Sequence, residues 1–340
     1  LSKLYYTDSQ GNKTAINGSG FNMPESNVTV TAEFAVGREV QYIDENGDTQ
    51  TVWAIPFTSD TAEHYGVWYY VDGSVTLQRN TPVYGDVKLI LCDGAKLNGA
   101  TTIISLGNSS NLKDNTLSIY RAPGENEGTV NLGSFYAETV NLIGGKIDLS
   151  SIVKAGTLNV NGCSLTSTGI QDSGDFNLIS GSARLETTNG WTVNVDGNIN
   201  ISAGSLYASA GNGDTINCYR NMTVTSGDAE INGNVSSNSG GTTVRVSGGN
   251  VTVNGDLHTR NTFITGGNVT INGMFFAYDD ITLGWTNLSD SIYAASYDGA
   301  EHIYIADGQE LTDGMTVYSG SYESSQLDIF AGKTLIPNHL

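Results

Sequence analysis

The fold is indicated by the stretch TVRVSGGNVTVNGDLHTRNTFITGGNVTINGM, residues 243–274. In this stretch, short runs alternate apolar and polar residues and end at glycine, as in TVRVSGG and FITGG. Alternation with a period of two is typical of a β-strand with one buried face. Glycine at the end of a run suits a tight turn, because it reaches positive φ without steric cost. The stretch therefore predicts short strands joined by glycine turns.

The same pattern recurs through the middle of the chain. Other examples are TVNLIGG, TLNVNG, FNLISG, NINISAG, MTVTSG and ITLG. The terminal glycines are Gly145, Gly162, Gly181, Gly204, Gly227, Gly248, Gly266 and Gly284, and they lie 17 to 23 residues apart. Repeats of this length indicate a solenoid, and neither helical repeats nor a leucine-rich ladder fits. We therefore predict an all-β chain that forms a right-handed parallel β-helix (a β-solenoid) with a small N-terminal β unit.

Alternation also assigns the two faces of each strand. In TLNVNG, Leu158 and Val160 are predicted to point inward and Asn159 outward, since neighbouring residues of a strand face opposite sides. The inward residues should stack into an aliphatic core, and the outward residues into ladders of Thr, Asn and Ser. Four further residues are predicted to lie in this core: Val195, Val246, Val253 and Ile271.

The chain divides into three predicted parts. Residues 1–35 alternate polar and apolar residues but lack the repeat, which indicates a small separate β unit. Residues 36–65 are predicted to form a linker and an entry cap, and residues 66–340 the parallel β-helix with a C-terminal cap. Caps are expected because the two ends of a β-helix expose unpaired strand edges. The aromatic stretch near Trp68 and the tail after Trp285 are the candidates for these caps.

Composition limits the classes of function. The formal net charge is -20, which disfavours nucleic-acid binding because the phosphate backbone would be repelled. No stretch approaches the roughly 18 continuous apolar residues of a membrane span, so no membrane insertion is predicted within this fragment. Cys163 and Cys218 lie far apart in strand-like runs, which predicts buried apolar thiols. The chain begins at Leu1 without a signal peptide, so we expect it to be a piece of a longer protein.

Two stretches resemble known families. The run GFNMPESNVTVTAEF, which ends at Phe34, resembles the closing half of the divergent internalin-type B-repeats of bacterial surface proteins. The phrases GVWYYVDGSVTL, GDVKLILCDGAKL, ITLGWTNLSDSIYAASY and IADGQELTDG resemble β-helix domains of large secreted proteins from gut bacteria. These resemblances imply an extracellular or bacterial cell-surface location and a role in adhesion or carbohydrate binding. They transfer no catalytic residues.

Catalysis is the main alternative, because parallel β-helices include polygalacturonases and pectin lyases. The family motifs of polygalacturonases are missing, and Asp279 and Asp280, the one adjacent Asp pair, would point to opposite faces of a strand. The arginine candidates for the basic residue of a lyase site in the repeat region are Arg184, Arg220, Arg245 and Arg260. GNGDTI, residues 211–216, resembles one unit of a calcium-binding repeat, but a single copy favours a turn. We predict no catalytic residue, no metal ligand and no cofactor, with calcium as the open possibility.

Exposed aromatic residues are the best sequence signal for binding, since flat sugar faces stack on aromatic rings. Tyr278, Asp280 and Trp285 are the predicted ligand-binding residues, with the rings stacking and the carboxylate accepting hydrogen bonds from hydroxyls. The alternative is that Trp285 belongs to the C-terminal cap. We therefore expect a non-catalytic surface module for adhesion or carbohydrate binding, or a structural spacer, with an extracellular glycan or host matrix protein as partner. The alternative hypothesis for the function is a calcium-assisted polysaccharide lyase or glycoside hydrolase of the β-helix type.

Overall fold

A computed structural model describes residues 3–15, 27–33, 36–59, 64–106, 115–172, 174–236, 242–273, 275–277, 280–283, 286–288, 292–294, 302–305 and 317–319. These residues form strands and no helix, so the predicted all-β class is confirmed. The first part contains β1 (Lys3–Thr7), β2 (Lys13–Ala15), β3 (Thr29–Glu33), β4 (Arg38–Ile43), β5 (Thr49–Pro56), β6 (His64–Tyr65), β7 (Trp68–Val71), β8 (Ser74–Thr76), β9 (Thr81–Tyr84), β10 (Asp86–Leu91), β11 (Lys96–Leu106), β12 (Thr116–Arg121), β13 (Thr129–Leu142) and β14 (Lys146–Leu149).

The strands of the middle part are β15 (Val153–Val160), β16 (Cys163–Ser167), β17 (Ile170–Asp172), β18 (Phe176–Leu178), β19 (Gly181–Thr187), β20 (Val193–Val195), β21 (Ile199–Ile201), β22 (Ser205–Cys218), β23 (Asn221–Val224), β24 (Asp228–Ser236), β25 (Thr243–Val253), β26 (Leu257–Thr259) and β27 (Asn261–Ile271). The last part contains β28 (Phe275–Ala277), β29 (Asp280–Leu283), β30 (Thr286–Leu288), β31 (Ile292–Ala294), β32 (His302–Ile305) and β33 (Val317–Ser319).

In the part of the chain that the structure describes, stacked parallel coils form a β-solenoid of about 9 turns, as the glycine-terminated repeat predicts. Strand β19, for example, pairs in parallel with β16 in the preceding coil and with β22 in the following coil. Through these pairings Ser164, Ser182 and Ser205 take equivalent positions in three successive coils. One repeat of the sequence is therefore one coil of the solenoid.

The core is aliphatic, and its predicted residues are buried. Val195 and Ile271 are 0% exposed, Val246 1% and Val253 2%. The register places apolar residues above one another from coil to coil. Buried apolar side chains of one coil therefore pack against apolar side chains of the next coil along the solenoid axis. The inward and outward assignment is confirmed at these four residues.

Outward positions carry ladders of hydrogen-bonded asparagines. Asn159 Nδ2 donates to Asn141 Oδ1, Asn177 Nδ2 to Asn159 Oδ1 and Asn200 Nδ2 to Asn177 Oδ1, each at 2.8 Å. An amide both donates and accepts, so each asparagine can bond the coil before it and the coil after it. The predicted polar ladder is present on this face, where it ties successive coils together.

The turn glycines stack as a column, with one correction to the sequence reading. Gly181, Gly204 and Gly227 have φ of 85°, 84° and 82°, as expected. In the next two coils the positive φ belongs to Gly249 (81°) and Gly267 (82°), not to Gly248 and Gly266 as predicted. A Cβ on Gly249 would lie 2.1 Å from the carbonyl oxygen of Gly227, so the residue that stacks on the column must be glycine. In a Gly-Gly pair, stacking decides which glycine makes the turn.

The N-terminal part holds two antiparallel units. Strands β2, β1 and β3 form a three-stranded antiparallel sheet in that order, and β4 pairs with β5 as an antiparallel hairpin. Within the range predicted as linker and entry cap, β5 also pairs in parallel with β7 of the solenoid, at Ile55 and Tyr69. The boundaries at residues 35 and 65 stay predictions.

An aromatic cluster fills the first coil. The His64 ring stacks on Phe57, with centroids 4.1 Å apart, and meets Tyr69 edge-on at 4.8 Å. His64 is 0% exposed, and neither ring nitrogen has a hydrogen-bond partner among the described residues. Burial lowers the pKa of His64 from 6.5 to about 4, because the charged ring would lose its hydration.

This histidine should make stability depend on pH. The unfolded chain binds a proton on His64 below about pH 6.5, whereas the folded chain keeps the ring neutral down to about pH 4. The contribution of the neutral His64 ring to the free energy of unfolding is therefore fully present above about pH 6.5. It is lost as the pH falls toward 4, by up to about 3 kcal/mol. We expect His64→Phe to remove this loss. The free energy of unfolding in urea, measured for both proteins across this pH range, tests the expectation.

The parent and the variant share all other titrating groups, so the difference between their curves isolates His64. His258→Phe is the matched control, because His258 is only half-buried and lies beside Asp256. It should follow the parent curve. A His64→Phe curve parallel to that of the parent between pH 6.5 and 4 would contradict the prediction.

Candidate functional site

The predicted ligand-binding residues lie mostly outside the described part of the chain. Tyr278 and Trp285 are not among the described residues. Asp280 begins β29, and its backbone pairs with His302 in β32, but its side chain is not described. The predicted site at these three residues stays a prediction.

A groove lies instead on the outward face of the middle coils. Strands β19, β22, β24 and β25 stack side by side there, and the groove encloses about 440 Å³. Its lining includes Arg184, Tyr207, Asp228, Glu230 and Asn250. We call it the Tyr207 groove. Four successive coils contribute to it, so it runs along the solenoid axis and crosses the strands.

Two columns of outward side chains build the groove. Residues directly after each turn glycine form the first column, and these are Ser182, Ser205, Asp228 and Asn250. Residues two positions further along each strand form the second column, and these are Arg184, Tyr207, Glu230 and Thr252. The intervening positions Ala183, Leu206 and Ala229 point inward and are at most 3% exposed. The period of two along each strand thus gives the groove a polar lining above an apolar floor.

Arg184 stacks on the aromatic ring of the groove. Its Cζ lies 4.1 Å from the centroid of the Tyr207 ring, within the range of a cation–π contact. Arg184 also forms an ion pair with Glu186 on the same strand, and both side chains are about half exposed. Its charge is therefore balanced by Glu186, and its planar guanidinium packs against the Tyr207 ring.

Asp228 and Glu230 lie two residues apart on β24 and share the outward face. Asn250 Nδ2 donates to Asp228 Oδ1 at 2.6 Å, and Asn232 Nδ2 donates to Glu230 Oε1 at 3.3 Å. Among the described residues neither carboxylate has an ion-pair partner within 4.0 Å. Both are exposed, so the groove offers two hydrogen-bonded but electrically unbalanced carboxylates.

Of the four arginines considered for a lyase site, Arg184 is the one that lines the groove. The carboxylates around it come from neighbouring coils. Arg245 makes a similar stack in another column, where its Cζ lies 4.8 Å from the centroid of the Phe263 ring. Sequence reasoning singled out Arg184 but missed Tyr207, Asp228 and Glu230. Their positions follow a rule that can be read from the sequence. Tyr207 and Glu230 lie three residues after a turn glycine, and Asp228 lies one residue after a turn glycine.

The other residues that the sequence analysis considered for function have structural positions in the described part of the chain. Cys163 and Cys218 are buried and unbridged as predicted, and burial raises the pKa of the Cys163 thiol to about 12 and that of Cys218 to about 11. The segment 211–216 is not the predicted turn. It belongs to β22, at an irregularity in the register with β24. The described residues contain no group of three or more His, Cys, Asp and Glu side chains placed to hold a metal ion.

No family model, no curated protein and no solved structure matches the chain. The described part of the chain contains no helix long and apolar enough to cross a membrane. The fold defines the class of the protein, a parallel β-solenoid, and the Tyr207 groove is the candidate functional site.

Proposed function

We propose that the chain is a non-catalytic extracellular surface module that binds carbohydrate in the Tyr207 groove. The observation that carries the proposal is a half-buried aromatic ring set among hydroxyl, amide and carboxylate side chains in an open groove. Sugars present apolar ring faces that stack on aromatic rings and hydroxyls that bond to such polar groups. The resemblance of the flanking sequences to secreted and cell-surface proteins supports the extracellular location, with adhesion to a glycan or glycosylated host matrix as the role.

The shape of the groove suits an extended ligand. Its two columns repeat once per coil, at about 4.8 Å, which is the ordinary strand spacing. The polar groups come from rigid, paired strands, so they are positioned before a ligand arrives and little ordering is needed on binding. A chain of sugars lying along the solenoid axis would meet a new pair of side chains at each coil.

The proposal predicts that Tyr207→Ala weakens glycan binding on the order of tenfold, because a tyrosine ring at the centre of a binding site typically contributes more than about 1 kcal/mol. A glycan array with the purified chain would first identify the ligand. Isothermal titration of the parent and the variant with that ligand would then give the ratio of their dissociation constants.

Phe263→Ala is the matched control. Phe263 is half-buried on an outward position and lies under an arginine, as Tyr207 does, but it does not line the groove. Both variants lose an aromatic ring and a cation–π contact, so both should lose similar stability. Equal affinity losses in the two variants would refute the Tyr207 groove as the carbohydrate-binding site. If the parent binds no glycan, the binding function is refuted and a role as a spacer is favoured.

A glycoside hydrolase or lyase is the second candidate, favoured by one observation: Asp228 and Glu230 line the same groove as Arg184. Hydrolysis needs two carboxylates on either side of one bond, whereas these two lie on one strand and face one side of the groove. Incubation of the chain with polysaccharides, followed by assay of new reducing ends and of unsaturated products, separates this candidate from pure binding.

A further inference from the structure

The charge of the Tyr207 groove is unbalanced toward the negative. Among the described residues, Arg184 is the single basic residue that lines the groove, and it already pairs with Glu186. Asp228 and Glu230 add two carboxylates without an ion-pair partner among the described residues. A ligand that enters the groove therefore meets net negative charge at the point where its polar groups would bond.

The Tyr207 ring separates these charges along the second column. Arg184, in the preceding coil, stacks on the ring at 4.1 Å. Glu230 is the register partner of Tyr207 in the following coil, and Asp228 lies two residues earlier on the same strand. On the side of Tyr207 away from Arg184, the groove thus combines an aromatic ring with two carboxylates. Aromatic rings and carboxylates together are the groups that recognise organic ammonium ions.

We propose that the Tyr207 groove selects sugars that carry a protonated amine, such as glucosamine units without the N-acetyl group. The inference rests on the proposed carbohydrate binding and names its ligand class. The ammonium group lies between Tyr207, Asp228 and Glu230, while the sugar hydroxyls bond to Asn250 and Ser205. Ligands rich in uronic acid are repelled by the same carboxylates and by the net charge of the chain, -20.

The test compares two oligosaccharides of equal length, glucosamine tetramer and N-acetylglucosamine tetramer. Both are titrated into the full chain at about pH 6, below the usual pKa of an amine. The amine form is expected to bind on the order of tenfold tighter, because only it forms the ion pairs and the cation–π contact. This preference should shrink when salt is raised from about 0.15 M to about 1 M, which shortens the Debye length from about 8 Å to about 3 Å.

The double variant Asp228→Asn, Glu230→Gln is expected to lose the amine preference, so that its affinities for the two tetramers become equal. The control is Glu125→Gln, Glu127→Gln, which removes two exposed carboxylates with the same spacing but outside the groove lining. This control should keep the preference.

Three outcomes overturn the inference: equal affinity for the two tetramers, an amine preference that survives the double variant, or no binding of the amine tetramer. If the N-acetyl form binds equally well and Tyr207→Ala weakens it, carbohydrate binding stands and only the ligand class is wrong. If neither tetramer nor any other glycan binds, the proposed function fails as well.

Discussion

Val253→Asp is expected to lower the free energy of unfolding by about 4 kcal/mol or more, since it buries an unpaired charge in the core. Val253 is 2% exposed, and its register partners Ile231 and Ile271 are 0% exposed, so an aspartate there would meet only apolar side chains above and below. Because every coil packs on the next, the damage would reach both neighbouring coils. Unfolding in urea, followed by circular dichroism, measures the loss.

Thr270→Asp is the control for this variant. Thr270 lies next to Ile271 on β27, is half-buried and points outward, so an aspartate there stays in contact with water. Substitutions at such positions usually change stability by less than about 0.5 kcal/mol. A melt of Val253→Asp like that of Thr270→Asp would mean that the inward and outward phases of β25 are assigned wrongly.

Gly227→Ala is expected to cost about 3 kcal/mol or more, from two separate causes. Its φ of 82° is strained for any residue with a Cβ, at about 1 to 2 kcal/mol. In addition, a Cβ would lie 2.4 Å from the carbonyl oxygen of Gly204 in the coil before, and a backbone atom cannot move aside cheaply. The thermal or urea midpoint of the variant measures the sum of the two costs.

Gly190→Ala separates the two causes. Gly190 has a φ of 75°, but no atom of the described residues lies within 4 Å of a Cβ built there, so conformational strain is the cost that applies. We expect this control to lose about 1 kcal/mol. If Gly227→Ala costs no more than Gly190→Ala, the close stacking of the glycine column does not contribute to stability.

The repeat and the core were predictable because both depend on local geometry. Alternation along a strand assigns Val195, Val246, Val253 and Ile271 inward, and any strand would place them so. The turn at Gly248 was assigned one residue too early, because both glycines of a Gly-Gly pair satisfy the local rule. Stacking on Gly227 selects Gly249 instead, and this contact spans a whole coil.

The groove was not predicted, although its positions follow a simple rule. Arg184, Tyr207 and Glu230 each lie three residues after a turn glycine, namely Gly181, Gly204 and Gly227. Counted from Gly249, the same offset gives Thr252, whereas counted from Gly248 it gives the buried Val251. Placing the turn one residue too early therefore assigns Val251 to the column instead of Thr252, because a shift of one residue exchanges the two faces of a strand.

The sequence by itself determined the β-solenoid, the length of its coils, its apolar core and its polar ladders, because alternation and turn glycines act within a few residues. Only the tertiary structure decided which residues meet across coils. Arg184 reaches Tyr207, and Asp228 and Glu230 come into the same groove, through strand register set by how each coil closes on the one before. The physical reason is that register depends on every turn and irregularity within a coil. A local pattern determines the face on which a side chain lies, but its neighbours in the next coil depend on the packing of the whole coil.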